Sequence, residues 1–295
     1  MSSLESLKKQ LQTAEDLRSV VKTMKALAAV SIQQYEKATR SLKVYQRTLD
    51  MAMQVLLQNL SAEEKLQFHK LTNPAADRLG LIVFGSDHGL CGQFNQQIAA
   101  RVADHLHRLP RGMPWQIAAV GARPIPLLAG RDIAIANYRP VPSSVHDITA
   151  TVQDLLQLVE QWQRQDQVTQ VQLLYNRTVP GGGYQSQIQS LLPIDPDWLS
   201  RLERPWLGPT LPTFAMDAQE LFSALVRQFL FIMLFQAQAA SLTSENASRL
   251  AAMQSAESNI NERLDGLQAD YRRQRQASIT EELLDVVAGF EALQD

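Results

Sequence analysis

Apolar residues recur at spacings of three and four along the first sixty positions: Leu4, Leu7, Leu11, Ala14, Leu17, Val21, Met24, Ala28, Ile32, Tyr35, Ala38, Leu42, Tyr45, Leu49, Met53, Leu56 and Leu60. That period is one face of a helix, and no glycine or proline interrupts it. A helix from 4 to 60, with Ser2 or Ser3 as its cap, runs to roughly 85 Å at ~1.5 Å per residue. The same rhythm returns through Leu221, Leu225, Phe229, Ile232, Phe235, Ala239, Leu242, Asn246, Leu250, Met253, Ala256, Ile260, Leu264, Leu267 and Tyr271, and on to Leu284, Val287 and Phe290. Asp217 is the expected N-cap, with Glu220 as its acidic partner three residues on. This second rod reaches roughly 110 Å, far beyond the ~11–12 residues of an ordinary globular helix. Each stripe needs a partner, and the economical one is the other end of the chain, as an antiparallel two-helix coiled coil. Asn246 falls on its seam, where a buried polar residue fixes register.

The middle of the chain has a different rhythm. All 13 prolines lie between Pro74 and Pro212, and 11 of the 13 glycines between Gly80 and Gly208. Short apolar runs at 79–84, 115–120, 133–136 and 168–174 read as buried strands, with helical stretches at 93–109, 123–129 and 147–164 between them. Alternating strand and helix argues for a parallel α/β sheet. Residues 184–191 alternate polar and apolar, as in a strand with one wet face at the edge of that sheet. The predicted fold class is α/β plus a long antiparallel coiled coil: N- and C-terminal helices (1–73 and 213–295) flanking a small Rossmann-like domain (74–212).

A formal net charge of −2 gives no broad basic field for nucleic acid. A single cysteine, Cys91, excludes an intramolecular disulfide framework and any Cys-clustered zinc site; it reads as a small buried hydrophobe in a reducing compartment. The greasiest run, 229–235, is shorter than the ~18 residues of a membrane span, so no transmembrane segment is expected. The first residues lead directly into the helical pattern with no leader peptide, which predicts a cytoplasmic bacterial setting.

Strand ends in an α/β domain invite the question of a nucleotide site. A G-x-x-x-x-G-K-[ST] phosphate loop is absent. Gly181-Gly182-Gly183 precedes a strand rather than a helix and reads as a turn. Gly85-Ser86-Asp87-His88-Gly89-Leu90-Cys91-Gly92 follows the first strand, but without an orienting third group it reads as a structural loop, not a nucleophilic site. His69, His105, His107 and His146 show no ligand spacing. No catalytic residue, metal or cofactor is expected.

The ends of the chain are informative. Ser244-Glu245-Asn246-Ala247-Ser248-Arg249-Leu250-Ala251-Ala252-Met253, followed by Tyr271-Arg272-Arg273-Gln274-Arg275-Gln276-Ala277-Ser278-Ile279-Thr280-Glu281-Glu282-Leu283, closely resembles the signature of F-type ATP synthase γ subunits. Val21-Lys22-Thr23-Met24-Lys25-Ala26-Leu27-Ala28-Ala29 is similar to that family's first-helix motif, and Ser86-Asp87-His88-Gly89-Leu90-Cys91-Gly92-Gln93-Phe94-Asn95 to its loop after the first strand. The resemblance implies a non-catalytic shaft turning inside a ring of α and β subunits, fixed at its foot to an ε subunit and the membrane c-ring. It implies a peripheral place on the cytoplasmic face of the bacterial inner membrane. By position in the motifs, Arg275, Gln276 and Thr280 would contact the β subunits, and Lys22, Met24 and Lys25 would face their acidic lever region. The chain departs from the family pattern at His88 (usually Arg), Gln93 (usually Gly) and Lys25 (usually Glu), and Phe231-Ile232-Met233 replaces a polar segment. These departures suggest a divergent branch, an alternative or sodium-translocating type. From the residues alone, a coiled-coil scaffold with a globular head and a nucleotide-dependent enzyme are the competing readings.

Overall fold

The computed structural model describes residues 4–60, 78–179, 183–203, 206 and 212–291, with the side chains of 196 and 289–291 excluded. In chain order the elements are α1 (Leu4–Asn59), β1 (Leu79–Phe84), α2 (Phe94–His107), β2 (Trp115–Val120), α3 (Pro124–Ala129), β3 (Asn137–Arg139), α4 (Val145–Arg164), β4 (Gln170–Thr178), β5 (Tyr184–Leu192), α5 (Pro196–Leu202) and α6 (Ala218–Glu291). The predicted Ser2/Ser3 cap, the 73/74 boundary, His69 and most of the triglycine lie outside the described residues. Asp217 caps α6 as predicted: its Oδ1 accepts from the amides of Gln219 (2.9 Å) and Glu220 (3.2 Å).

Packing divides the chain into two units, Met1–Ala28 with Arg249–Asp295, and Ala29–Ser248. The first is an antiparallel helix pair. On α1 the buried positions advance by sevens, Leu7, Val21 and Ala28, with half-buried Ala14 in the series; Met253, Leu264 and Leu267 are the buried residues that α6 contributes to this unit. A repeat of seven is the signature of a coiled-coil seam. Its second column falls four residues after each of these, through half-buried Leu11 and Lys25, and Lys25 pairs with Glu257 across the seam. Leu17 therefore lies on the far flank and is 52% exposed, which corrects its place in the predicted stripe.

The second unit is built on a five-stranded sheet of order β3-β2-β1-β4-β5, parallel except for antiparallel β5 at the edge. Residues of β1 alternate between two cores, as a doubly covered strand must. Leu81 and Val83 join Ile98, Ala99 and Val102 of α2 and Leu128 of α3, while Ile82 and Phe84 join α1, α4, α5 and α6. Trp162 of α4 lies so close to β1 that a Cβ on Gly80 would sit 2.5 Å from its ring, so only glycine fits there.

Two predicted strands shift. Ile133–Ala136 is not the third strand: after a left-handed turn at Asp132 (φ 58) Ile133 plugs the α2-side core, and pairing with β2 begins only at Asn137. The fourth strand starts at Gln170 and continues to Thr178, because β5 supplies a partner along that extension. A third correction concerns hydropathy. One stretch of α6 does reach the length and apolarity of a membrane span, with mean hydropathy 1.4. Within it Phe229, Leu230, Ile232, Leu234 and Phe235 are buried in the core of the sheet unit, while Phe231 and Met233 are half-buried at its edge.

Trp198 of α5 stacks on Phe229 (ring centroids 4.2 Å apart) and its Nε1 donates to Asp50 Oδ1 at 3.2 Å. Burial holds the Asp50 carboxyl above its ordinary value of 3.8, against the opposing effects of the Trp198 bond and the Arg201 charge. A carboxyl with a raised folded-state value favours folding while protonated. Its contribution is present below the unfolded-state value and is lost as pH rises through the folded-state value. Asp50→Asn keeps an acceptor for the indole and never ionises, so its melting temperature should fall less than that of the parent between about pH 4 and 7. Calorimetry across that range checks this; parallel curves would mean that Asp50 is not responsible.

Candidate functional site

Strand order reverses between β1 and β4, and at such a switch point the carboxyl ends of an open α/β sheet form the ligand crevice. Here the chain fills its own crevice. Ser241 Oγ donates to the carbonyl of Phe84 at the end of β1 (3.4 Å), Ser244 Oγ to that of Asn176 in β4 (3.0 Å), and Ser248 Oγ to that of Cys91 in the β1–α2 loop (2.6 Å). Buried Asn176 spends its own side chain on neighbours: Nδ2 donates to the Phe94 carbonyl (3.3 Å) and Oδ1 accepts from Ser186 Oγ (2.6 Å). Sequence reasoning missed these serines, although their i, i+3, i+7 spacing on one helix face was legible.

The loop 85–92 is held by hydrogen bonds within it and to its neighbours. Asn95 Oδ1 accepts from the Ser86 amide (3.1 Å) and its Nδ2 donates to Ser86 Oγ (2.8 Å), while Cys91 is buried beside them. Asp87 ties three connections together. Its Oδ1 accepts from the Ala122 amide (2.8 Å) and the Tyr138 hydroxyl (3.2 Å), and its Oδ2 from the Val141 amide (2.7 Å). Both oxygens must accept, so Asp87→Asn turns a donor toward a donor. It should cost about 1–3 kcal/mol, read as a lower urea midpoint; an unchanged midpoint would show that the loops hold without the carboxylate. Among the described residues no group of three or more His, Cys, Asp or Glu is placed to hold a metal ion.

The six candidate contact residues all lie in the helix-pair unit. Arg275, Gln276 and Thr280 are exposed, and Thr280 Oγ1 donates to the Gln276 carbonyl one turn back (2.9 Å). Lys22 is exposed and Met24 half-buried, whereas Lys25 is held by Glu257. Among the described residues Arg275 and Lys22 have no ion-pair partner. The Lys25–Glu257 level implies that positions summing to 282 face one another, so Leu4 sits opposite 278. A groove lined by Leu4, Leu7, Gln274, Ala277, Ser278 and Glu281 agrees. Beyond that level Leu283, Leu284, Val286 and Val287 are 53–67% exposed, which corrects the expectation that Leu284 and Val287 continue the buried stripe.

Comparison with known proteins adds a family. A family model described as ATP synthase matches residues 3–293. The ATP synthase gamma chain of Geobacter metallireducens is 28% identical over 297 residues, 99% of each chain. That of Acaryochloris marina is 27% identical over 322 residues, covering 99% of this chain and all of the relative. Among solved structures, a chain of the Euglena gracilis mitochondrial ATP synthase (OSCP/F1/c-ring, rotational state 3) superposes with a TM-score of 0.58 at 19% identity, over 98% of this chain and 94% of that one. A chain of the Tetrahymena thermophila mitochondrial ATP synthase central stalk and c-ring gives 0.55 at 21% identity, over 80% and 99%. These two share the fold.

Proposed function

The chain belongs to the ATP synthase gamma-chain family, and from that premise we propose that it is the central rotor shaft of an F-type ATP synthase. It couples ion flow through a membrane c-ring to ATP synthesis or hydrolysis in an α3β3 ring. The observation that carries this reading is the end of α6, where exposed apolar side chains continue past the level of Leu4. Exposed apolar surface of this kind marks an interaction site, and a close-fitting protein sleeve would cover it.

The shaft has no catalytic residue of its own in this reading. Support comes from the β1/β4 crevice, where serines of α6 occupy the place that a nucleotide takes in other doubly wound sheets. Torque passes through shape and side-chain contacts: Arg275, Gln276 and Thr280 meet the β subunits, and Lys22, Met24 and Lys25 lie toward their acidic lever region. The division into 1–73, 74–212 and 213–295 follows these roles, with the middle segment meeting ε and the c-ring. The site of action is the cytoplasmic face of the bacterial inner membrane, as a peripheral part of the complex. A coiled-coil scaffold is disfavoured by a family match that spans both helices and the sheet.

The test is reconstitution. The purified chain mixed with α and β subunits from its own source should yield an assembly with steady ATPase activity. Recovery of the folded chain without α and β, from mixtures in which both are soluble, would remove the proposal.

A further inference from the structure

We propose that Ser241, Ser244 and Ser248 form a register lock that fixes α6 against the sheet, so that torque enters the α/β unit without slip; the inference rests on the shaft reading above. Serine in a helix commonly returns its hydroxyl to the carbonyl four residues back, as Ser223 does to Gln219 (2.9 Å). These three instead reach carbonyls on three different segments: the end of β1, β4 and the β1–α2 loop. All three serines are buried.

The apolar contacts of α6 with the sheet, through residues such as Ile232, Phe235 and Leu242, resist separation. They are non-directional, and so resist sliding and rolling poorly. Hydrogen bonds are directional and weaken steeply off axis. Anchors on three segments, spread along two turns of one helix face, oppose both translation along α6 and rotation about it. The loop is shaped to receive the last of them. Gly92 is left-handed (φ +57), and a Cβ there would stand 3.3 Å from Ser248 Oγ. Tyr184 also lies within 3.4 Å of that hydroxyl, and its ring packs on Phe94 (centroids 5.6 Å apart).

These are positioning residues, so the decisive readout is coupling rather than stability. In the complete membrane complex rebuilt with the chain's own partner subunits, the triple variant S241A/S244A/S248A should hydrolyse ATP within about twofold of the parent. Ions pumped per ATP should fall about threefold or more, the scale of one lost directional hydrogen bond. S244T, which keeps a hydroxyl, should restore coupling relative to S244A, and S223A, whose bond is internal to α6, should leave it unchanged. If the triple variant does not assemble, the three single alanine variants are read in the same way. Parental coupling in assembled variants overturns the lock. Failure of the parent chain to support ATPase with α and β overturns the shaft reading instead.

Discussion

Replacing Ile232 by asparagine should lower the stability of the α/β unit by about 4 kcal/mol, a large share of the roughly 5–15 kcal/mol that holds an ordinary domain folded. Ile232 is fully buried and belongs to the core that joins α6 to α1, α4 and the sheet. The substitution removes packed methyl groups and inserts an amide where the surroundings are apolar. Its neighbour Phe231 is only half-buried at the edge of the same core, so Phe231→Gln should cost about 1 kcal/mol. The two together test whether 229–235 is core or an unpartnered greasy face. Urea denaturation followed by Trp162 and Trp198 fluorescence separates the cases, since both indoles lie in this core. Equal midpoints for the two variants would mean that the segment does not pack as described.

How much of this was legible in the sequence follows from which forces act locally. The two long helices could be read because their period, their lack of breakers and the Asp217 cap are local signals. Strands β1 and β2 were legible because a parallel strand buried on both faces is a continuous apolar run. Residues 133–136 carry the same signal for a different reason: Ile133 is buried beneath the sheet before the strand begins, and composition cannot distinguish the two. The length of β4 depends on its pairing with β5, and strand pairing is not a property of either segment alone. The Leu17 and Leu284 errors have one cause. A spacing of three or four finds an apolar face, but burial depends on where the partner helix lies and where it ends. The serines at 241, 244 and 248 look like a polar helix face until the carbonyls that receive them are placed. Arg275 stands out only through resemblance, because the contact proposed for it requires other chains.

That residue gives the largest functional prediction. Arg275 is exposed and has no ion-pair partner among the described residues, so removing it should leave the chain's stability within about 0.5 kcal/mol of the parent. In the assembled complex, Arg275→Ala should reduce ATP hydrolysis on the order of tenfold, the effect of losing roughly 1.4 kcal/mol of contact at the step that turns the shaft. Arg275→Lys distinguishes charge from shape. A planar guanidinium can hold a carboxylate or a pair of carbonyls through two parallel bonds, and an ammonium cannot. If the β-subunit contact uses the fork, lysine should recover only part of the lost rate. If lysine restores all of it, the contact is one of charge alone. Lys25→Ala serves as the contrast, because its ammonium is already committed to Glu257 within the shaft. Its removal should weaken the helix pair by up to about 1 kcal/mol, since both partners are partly solvated, and change turnover less than the loss of Arg275. Should Arg275→Ala retain parental turnover while Lys25→Ala loses it, the seat of torque transfer would lie on the α1 side of the shaft.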